Sequence, residues 1–160
     1  MINITKDLTN KALHIVRDFN APVEKVWQAW TDSNLLDKWW GPKPWRAETK
    51  TMDFSEGGFW LYAMVGPDGS KHWNKVTFKS ISAPQHFASD ATFTDEHGIK
   101  AGDFPVLHWS IKFQSKDSGT EVIADITFDD VARLEQIVAM GFEGGFTMGL
   151  NQLEELLGSA

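Results

Sequence analysis

Cysteine is absent from these 160 residues. That excludes disulfides, thiolate nucleophiles and Cys-ligated zinc or iron–sulfur centres, and it fits a reducing compartment. Long apolar runs are also missing: none approaches the roughly 20 residues needed to cross a bilayer. The opening stretch, Met1 to Asp7, has neither the basic nor the apolar region of a secretory signal. A cytoplasmic chain with no membrane contact is therefore expected. Positive charge is scarce, with 15 Lys and Arg against 22 Asp and Glu, for a net charge of −7. Phosphate backbones are held mainly by clustered Lys and Arg, so nucleic acid is a poor partner. The one local basic density, Lys71, Lys75 and Lys79, reads as the solvated edge of a strand. There is no P-loop, GxGxxG, GxSxG or HExxH. His14, His72, His86, His97 and His108 show no metal-ligand spacing, so neither a metal nor a cofactor is expected. Repeats, low-complexity segments and linkers are absent as well. One domain over residues 1–160 is expected, with its core at about 13–157. Apolar residues at 42% and charged residues at 23% are globular values.

What the chain has in excess is tryptophan. Eight residues are Trp, and six of them fall between Trp27 and Trp60. An indole is large and stiff, and its one N–H wants a partner when buried. So many in one small domain need either a very aromatic core or a concave apolar site to surround.

Leu13, Ile15 and Phe19 alternate with His14, Val16 and Asp18, which predicts a strand with one buried face. Arg17 falls on that apolar face. Ala21-Pro22 then opens a helix, because Pro at a helix start loses no hydrogen bond. Val23, Val26, Trp27 and Trp30 share one helical stripe. Asp32 or Ser33 is placed to cap a second short helix through Trp40, and Gly41-Pro42 stops it. Six strands are predicted next: 46–54, 58–65, 71–81, 86–93, 106–114 and 120–128. Turn chemistry such as Gly66-Pro67-Asp68-Gly69 and Asp117-Ser118-Gly119 separates them. The spacing leaves no room for crossover helices, so the sheet is antiparallel. A helical stretch from about Val131 to Leu157 closes the chain, with an apolar stripe from Leu134 to Leu157. The class is α+β, with about seven strands.

In order and spacing, several groups of residues resemble the SRPBCC superfamily, also called Bet v 1-like or START-like. The groups are Arg17-Asp18-Phe19-Asn20-Ala21-Pro22, Val26-Trp27-Gln28-Ala29-Trp30-Thr31, Lys38-Trp39-Trp40-Gly41-Pro42, Gly57-Gly58-Phe59-Trp60 and Gly141-Phe142-Glu143-Gly144-Gly145-Phe146. Within the superfamily they are most similar to the branch related to the activator of Hsp90 ATPase. The resemblance implies a helix-grip fold, a curved antiparallel sheet around a long C-terminal helix. It implies an apolar cavity between them and leaves the reaction open, since relatives include carriers, cyclases and a co-chaperone domain.

The terminal helix carries Gly141, Gly144, Gly145 and Gly149. Together they cost roughly 3–4 kcal/mol against Ala if all are helical. Close packing or a kink offsets that, or else the glycines leave volume that Phe142, Phe146 and Met148 line for a ligand. Trp109 shares a strand face with Leu107, Ile111 and Phe113 and points at this helix. Trp60 and Tyr62 share one face of their strand, whose opposite face is equally apolar. Trp73 belongs to the same aromatic set. Arg17 is free to pair with an acid such as Glu143, to anchor a ligand's acidic group, or to lie along the strand edge. The ligand-binding set is therefore Trp60, Tyr62, Trp73, Trp109, Phe142, Phe146, Met148 and Arg17, with no catalytic residue assigned.

Three functions fit. The first is a module that holds a small apolar or aromatic molecule between sheet and helix. Trp39 and Trp40 cannot both enter the core from a short helix end, so one lies at a cavity mouth or on an exposed patch. The second function is a stress-related interaction domain with a chaperone partner, which would use such a patch. The third is an enzyme on an aromatic substrate, for which Glu143, Asp90, Tyr62 and the histidines are the loose acid–base candidates. Monomer and homodimer are both open.

Overall fold

The computed structural model describes residues 2–100, 102 and 104–158. Met1 and the last two residues of the expected 1–160 domain, Ser159 and Ala160, lie outside them. The elements in chain order are β1 (Ile2–Asp7), β2 (Ala12–Phe19), α1 (Val23–Thr31), α2 (Ser33–Trp39), β3 (Arg46–Met52) and β4 (Phe59–Val65). They continue with β5 (Lys71–Ser82), β6 (His86–Thr94), β7 (Leu107–Lys116), β8 (Gly119–Thr127), α3 (Val131–Ala139) and α4 (Phe142–Gly158). The strands form one antiparallel sheet of order β1-β2-β8-β7-β6-β5-β4-β3. This is the helix-grip fold.

Alternation builds the sheet's inner face. Leu13, Ile15, Arg17 and Phe19 are buried along β2, and Leu107, Trp109, Ile111 and Phe113 along β7. Register shifts between Thr49 and Thr51 and between Phe78 and Ser80 bend the β3–β6 half of the sheet. Asp32 separates the two short helices and caps α2 by accepting the Asn34 N–H at 2.9 Å. Asp130 does the same for α3 through the Arg133 N–H at 2.8 Å.

Two expectations are corrected. The sheet has an eighth strand, β1, which pairs along β2 with Ile4 opposite Ile15. The C-terminal helix is two helices, because Gly141 takes φ +85° after α3 and turns the chain.

Candidate functional site

The inner face of the bent half-sheet is concave and incompletely filled. Trp60, Tyr62 and Met64 of β4 point inward, as do Asn74, Val76 and Phe78 of β5 and Phe87, Ser89 and Ala91 of β6. Trp109 of β7 completes that floor. The roof is Trp30 of α1, Trp40 and Pro42 after α2, Ile137 of α3, and Phe142, Gly145 and Phe146 of α4. Between floor and roof lies a cavity of about 250 Å³. A larger depression, about 700 Å³, runs past Glu24, Gln85, His86, Lys112 and Gln114. Val23, Pro84, Phe113 and Ser115 complete its mixed lining, and it lacks the facing aromatic walls of the first.

The wall is held from behind by polar bonds. The Trp40 indole N–H donates to the Tyr62 hydroxyl at 2.8 Å, and the Tyr62 ring stacks on Trp60 with centres 4.0 Å apart. The Trp60 N–H donates to Thr49 Oγ1 at 3.0 Å. The Thr49 hydroxyl and backbone N–H both donate to Asp37 Oδ1, at 2.6 and 3.0 Å. Two indoles of the cavity wall thereby satisfy their one donor without using the cavity. Burial pushes the Tyr62 phenol well above its usual range, with the Trp40 N–H offsetting only part, so it stays neutral. Trp39 is fully buried and donates to the Ala29 carbonyl at 2.9 Å. The Trp30 indole N–H is buried without a hydrogen-bond partner among the described residues. Its ring stands edge-on to Trp39, Trp40, Phe113 and Phe146.

The four glycines have four different surroundings. Gly141 makes the turn between helices, and Gly144 faces open space. Gly145 lies on the cavity, where an added Cβ would stand 3.7 Å from Pro42. Gly149 lets α4 approach the α2 end, with a Cβ there only 3.4 Å from the Trp39 carbonyl oxygen. Gln152 fixes that approach. Its amide donates to the Trp39 and Gly41 carbonyls at 2.9 and 2.8 Å, and its oxygen accepts the Lys43 N–H at 2.9 Å.

Of the eight residues expected to bind a ligand, Trp60, Tyr62, Trp109, Phe142 and Phe146 line the cavity together. Three lie elsewhere. Trp73 is on the outer face of β5, flanked by Lys50 and Lys71 at 5.7 and 5.9 Å from its ring. Met148 is 44% exposed on the solvent side of α4. Arg17 is buried, but its guanidinium meets Asn151 Oδ1 at 3.0 Å and Glu154 Oε1 at 3.4 Å, so it ties β2 to α4 rather than pairing with Glu143. Of the two places open to one of Trp39 and Trp40, a cavity mouth or an exposed patch, Trp40 takes the first: it lines the cavity, while Trp39 is core. Sequence reasoning missed Trp30, Asn74, Ser89 and Ala91. Alternation along β5 and β6, set against Trp109 on β7, carries the signal for the last three.

The other polar candidates lie away from the cavity. His108 bridges Asp90 at 2.7 Å and Asp129 at 3.0 Å, and Lys79 meets Asp90 at 3.0 Å. Burial pulls the imidazolium down, but both carboxylates together outweigh it and raise the His108 pKa. His14 pairs with Asp125, and His86 with Ser110 at 2.9 Å. Among the described residues no His, Asp and Glu group is placed to hold a metal ion. None of the described helices is long and apolar enough to cross a membrane.

The profile of the family described as Activator of Hsp90 ATPase homolog 1-like protein matches residues 20–158. The chain is similar to the crystal structure of protein Ms6760 from Mycobacterium smegmatis, at 32% identity and TM-score 0.90, over 97% of this chain and 95% of that one. It is similar to a solution structure from Arthrobacter aurescens, at 33% identity and TM-score 0.92, over 99% and 92%. A Staphylococcus epidermidis protein aligns at 27% identity and TM-score 0.85, over 98% and 93%. No curated protein sequence matches the chain.

Proposed function

The chain belongs to the Activator of Hsp90 ATPase homolog 1-like protein family of the SRPBCC superfamily, and from that premise we propose that it is a one-domain cytoplasmic binding module for a small hydrophobic or aromatic molecule. The observation that carries this reading is the 250 Å³ cavity walled by Trp40, Trp60, Tyr62, Trp109 and Phe146. Well-packed interiors hold few voids larger than water. An apolar cavity of about 150 Å³ stays dry and takes a benzene ring, so this one suits roughly one or two fused rings. A two-ring guest that buries about 200 Å² of apolar surface gains about 5 kcal/mol gross, before the cost of its own immobilisation.

Titration with naphthalene, followed by tryptophan fluorescence, tests the reading. Saturable one-site binding is expected in the wild type. Ala91→Phe, which places a ring in the void, is expected to weaken it at least tenfold while the fold is kept. Equal binding by both proteins, or none by the wild type, would sink the proposal.

The family's description motivates a second reading, a chaperone partner. It ranks lower because Trp39 and Trp40, its expected contact, are turned inward. Stimulated ATP turnover by a purified Hsp90-type chaperone would support it. The enzyme reading is not proposed, since Tyr62 is the one ionisable side chain of the lining and Glu143 and Asp90 lie outside it.

A further inference from the structure

The cavity differs from a plain oily void in two respects. The first is charge. Its lining includes no Lys, Arg, His, Asp or Glu. The buried cation on the inner sheet face, Arg17, lies outside the lining; Asn151 and Glu154 of α4 meet its two terminal nitrogens, while its Nε has no partner among the described residues. A charged guest would leave water with no opposite charge to meet it.

The second is an unspent hydroxyl. Ser89 is 3% exposed and stands between Phe87 and Ala91 on the inner face of β6, all three lining the cavity. It lines the cavity, and none of the hydrogen bonds described above uses its hydroxyl. Tyr62 adds to it: the oxygen accepts from Trp40, which leaves the phenolic proton without an acceptor among the described residues. Asn74, directly across the ladder from Tyr62, also lines the site. Buried hydroxyls are disfavoured without a partner, and hydrocarbon offers none.

We infer that the guest is electrically neutral and carries an accepting oxygen, such as a ketone or quinone carbonyl on a one- or two-ring skeleton, to which Ser89 or Tyr62 donates. This rests on the cavity reading above. Phe142 and Phe146 then enclose the rings while the β4–β6 floor reads the oxygen.

Three matched probes test it by calorimetry: 2-acetylnaphthalene, 2-isopropylnaphthalene and 2-naphthoate. The ketone is expected to bind about tenfold more tightly than the hydrocarbon, one hydrogen bond's worth. The carboxylate is expected to bind at least tenfold more weakly than the ketone. Ser89→Ala or Tyr62→Phe should reduce the ketone's advantage over the hydrocarbon measured in the same variant, and the double variant should remove it. Ser89→Ala removes one oxygen and adds no volume, so its fold is secure even if Tyr62→Phe is weakened. Equal affinity for ketone and hydrocarbon, or an advantage that survives in the double variant, would overturn the inference but leave the cavity reading standing. Tightest binding by the carboxylate would do the same. Failure of all three probes would remove both.

Discussion

Two aromatic groups fill the space under the helices, and they differ in what stands among them. Trp27, Phe54, Phe78, Phe87 and Phe113 have ring centres 4.8–6.2 Å apart. Trp40, Trp60, Tyr62, Trp109, Phe142 and Phe146 have them 4.0–6.1 Å apart. Ring spacing is thus the same in both. The first group closes on itself, largely through edge-to-face pairs. The second shares floor and roof with Asn74, Ser89, Ala91 and Gly145, whose short side chains leave the space between them unfilled. A void under a curved sheet therefore comes from small residues set among large ones, not from aromatic content. Its boundary runs through Phe78 and Phe87, which belong to the packed group and still touch the cavity.

Truncation sharpens that contrast most. Phe113→Ala, deep in the packed group at 2% exposure, is expected to cost about 3–5 kcal/mol in urea unfolding. The same truncation at half-buried Phe142 should cost clearly less, because one of its sides already faces empty space. Equal losses would mean that the second group is as solid as the first.

The glycines give the next largest effect. Gly149→Val drives methyl groups against the Trp39 and Trp40 carbonyls and should destabilise by about 1–3 kcal/mol. Gly144→Ala meets nothing and should stabilise by about 0.5–1 kcal/mol, the helix propensity alone. Thermal melts of the two variants should move in opposite directions.

The smallest effect lies on the wet face of the sheet, which makes it a control for both groups. The His108 pKa is raised in the folded chain. Its contribution is therefore complete below about 6.5 and is lost as pH climbs through the folded value. Burial works against Asp90, but His108 and Lys79 outweigh it and lower that carboxyl, whose contribution fades on acidification. The stability difference between wild type and His108→Gln should be largest near pH 6 and shrink toward pH 9. It should stay under about 1 kcal/mol, because His108 and its partners remain partly in water. A difference that grows with pH would contradict the bridge.

Most of this architecture was legible because alternation and turn residues are local signals. The strands β2 to β8 announce themselves by period and by Gly, Pro and Asp at their ends. The strand β1 does not, since Ile2 and Ile4 alternate among polar neighbours and only the β2 edge makes them a strand. The helix break was hidden because the apolar stripe from Leu134 to Leu157 continues past Gly141. In the site, residue type was a poorer guide than register. Trp73 looks like a cavity residue by kind, yet the pairing of Tyr62 with Asn74 turns Asn74 inward and Trp73 out. Met148 follows Phe146 by two residues, which on a helix is the opposite side. Trp60 and Tyr62 sit on a strand apolar on both faces, so only the tertiary fold chooses between them.

The Gln152 side chain has a consequence for what position 152 will tolerate. One primary amide there serves two main-chain carbonyls and one main-chain N–H from a single stretch of loop. Glutamate would accept from Lys43 but set a negative charge against both carbonyls. Lysine would serve the carbonyls and leave the N–H unmet, and asparagine is a methylene too short. Among natural side chains only glutamine fits all three demands, so a position that looks interchangeable on a half-exposed helix surface is restricted to one.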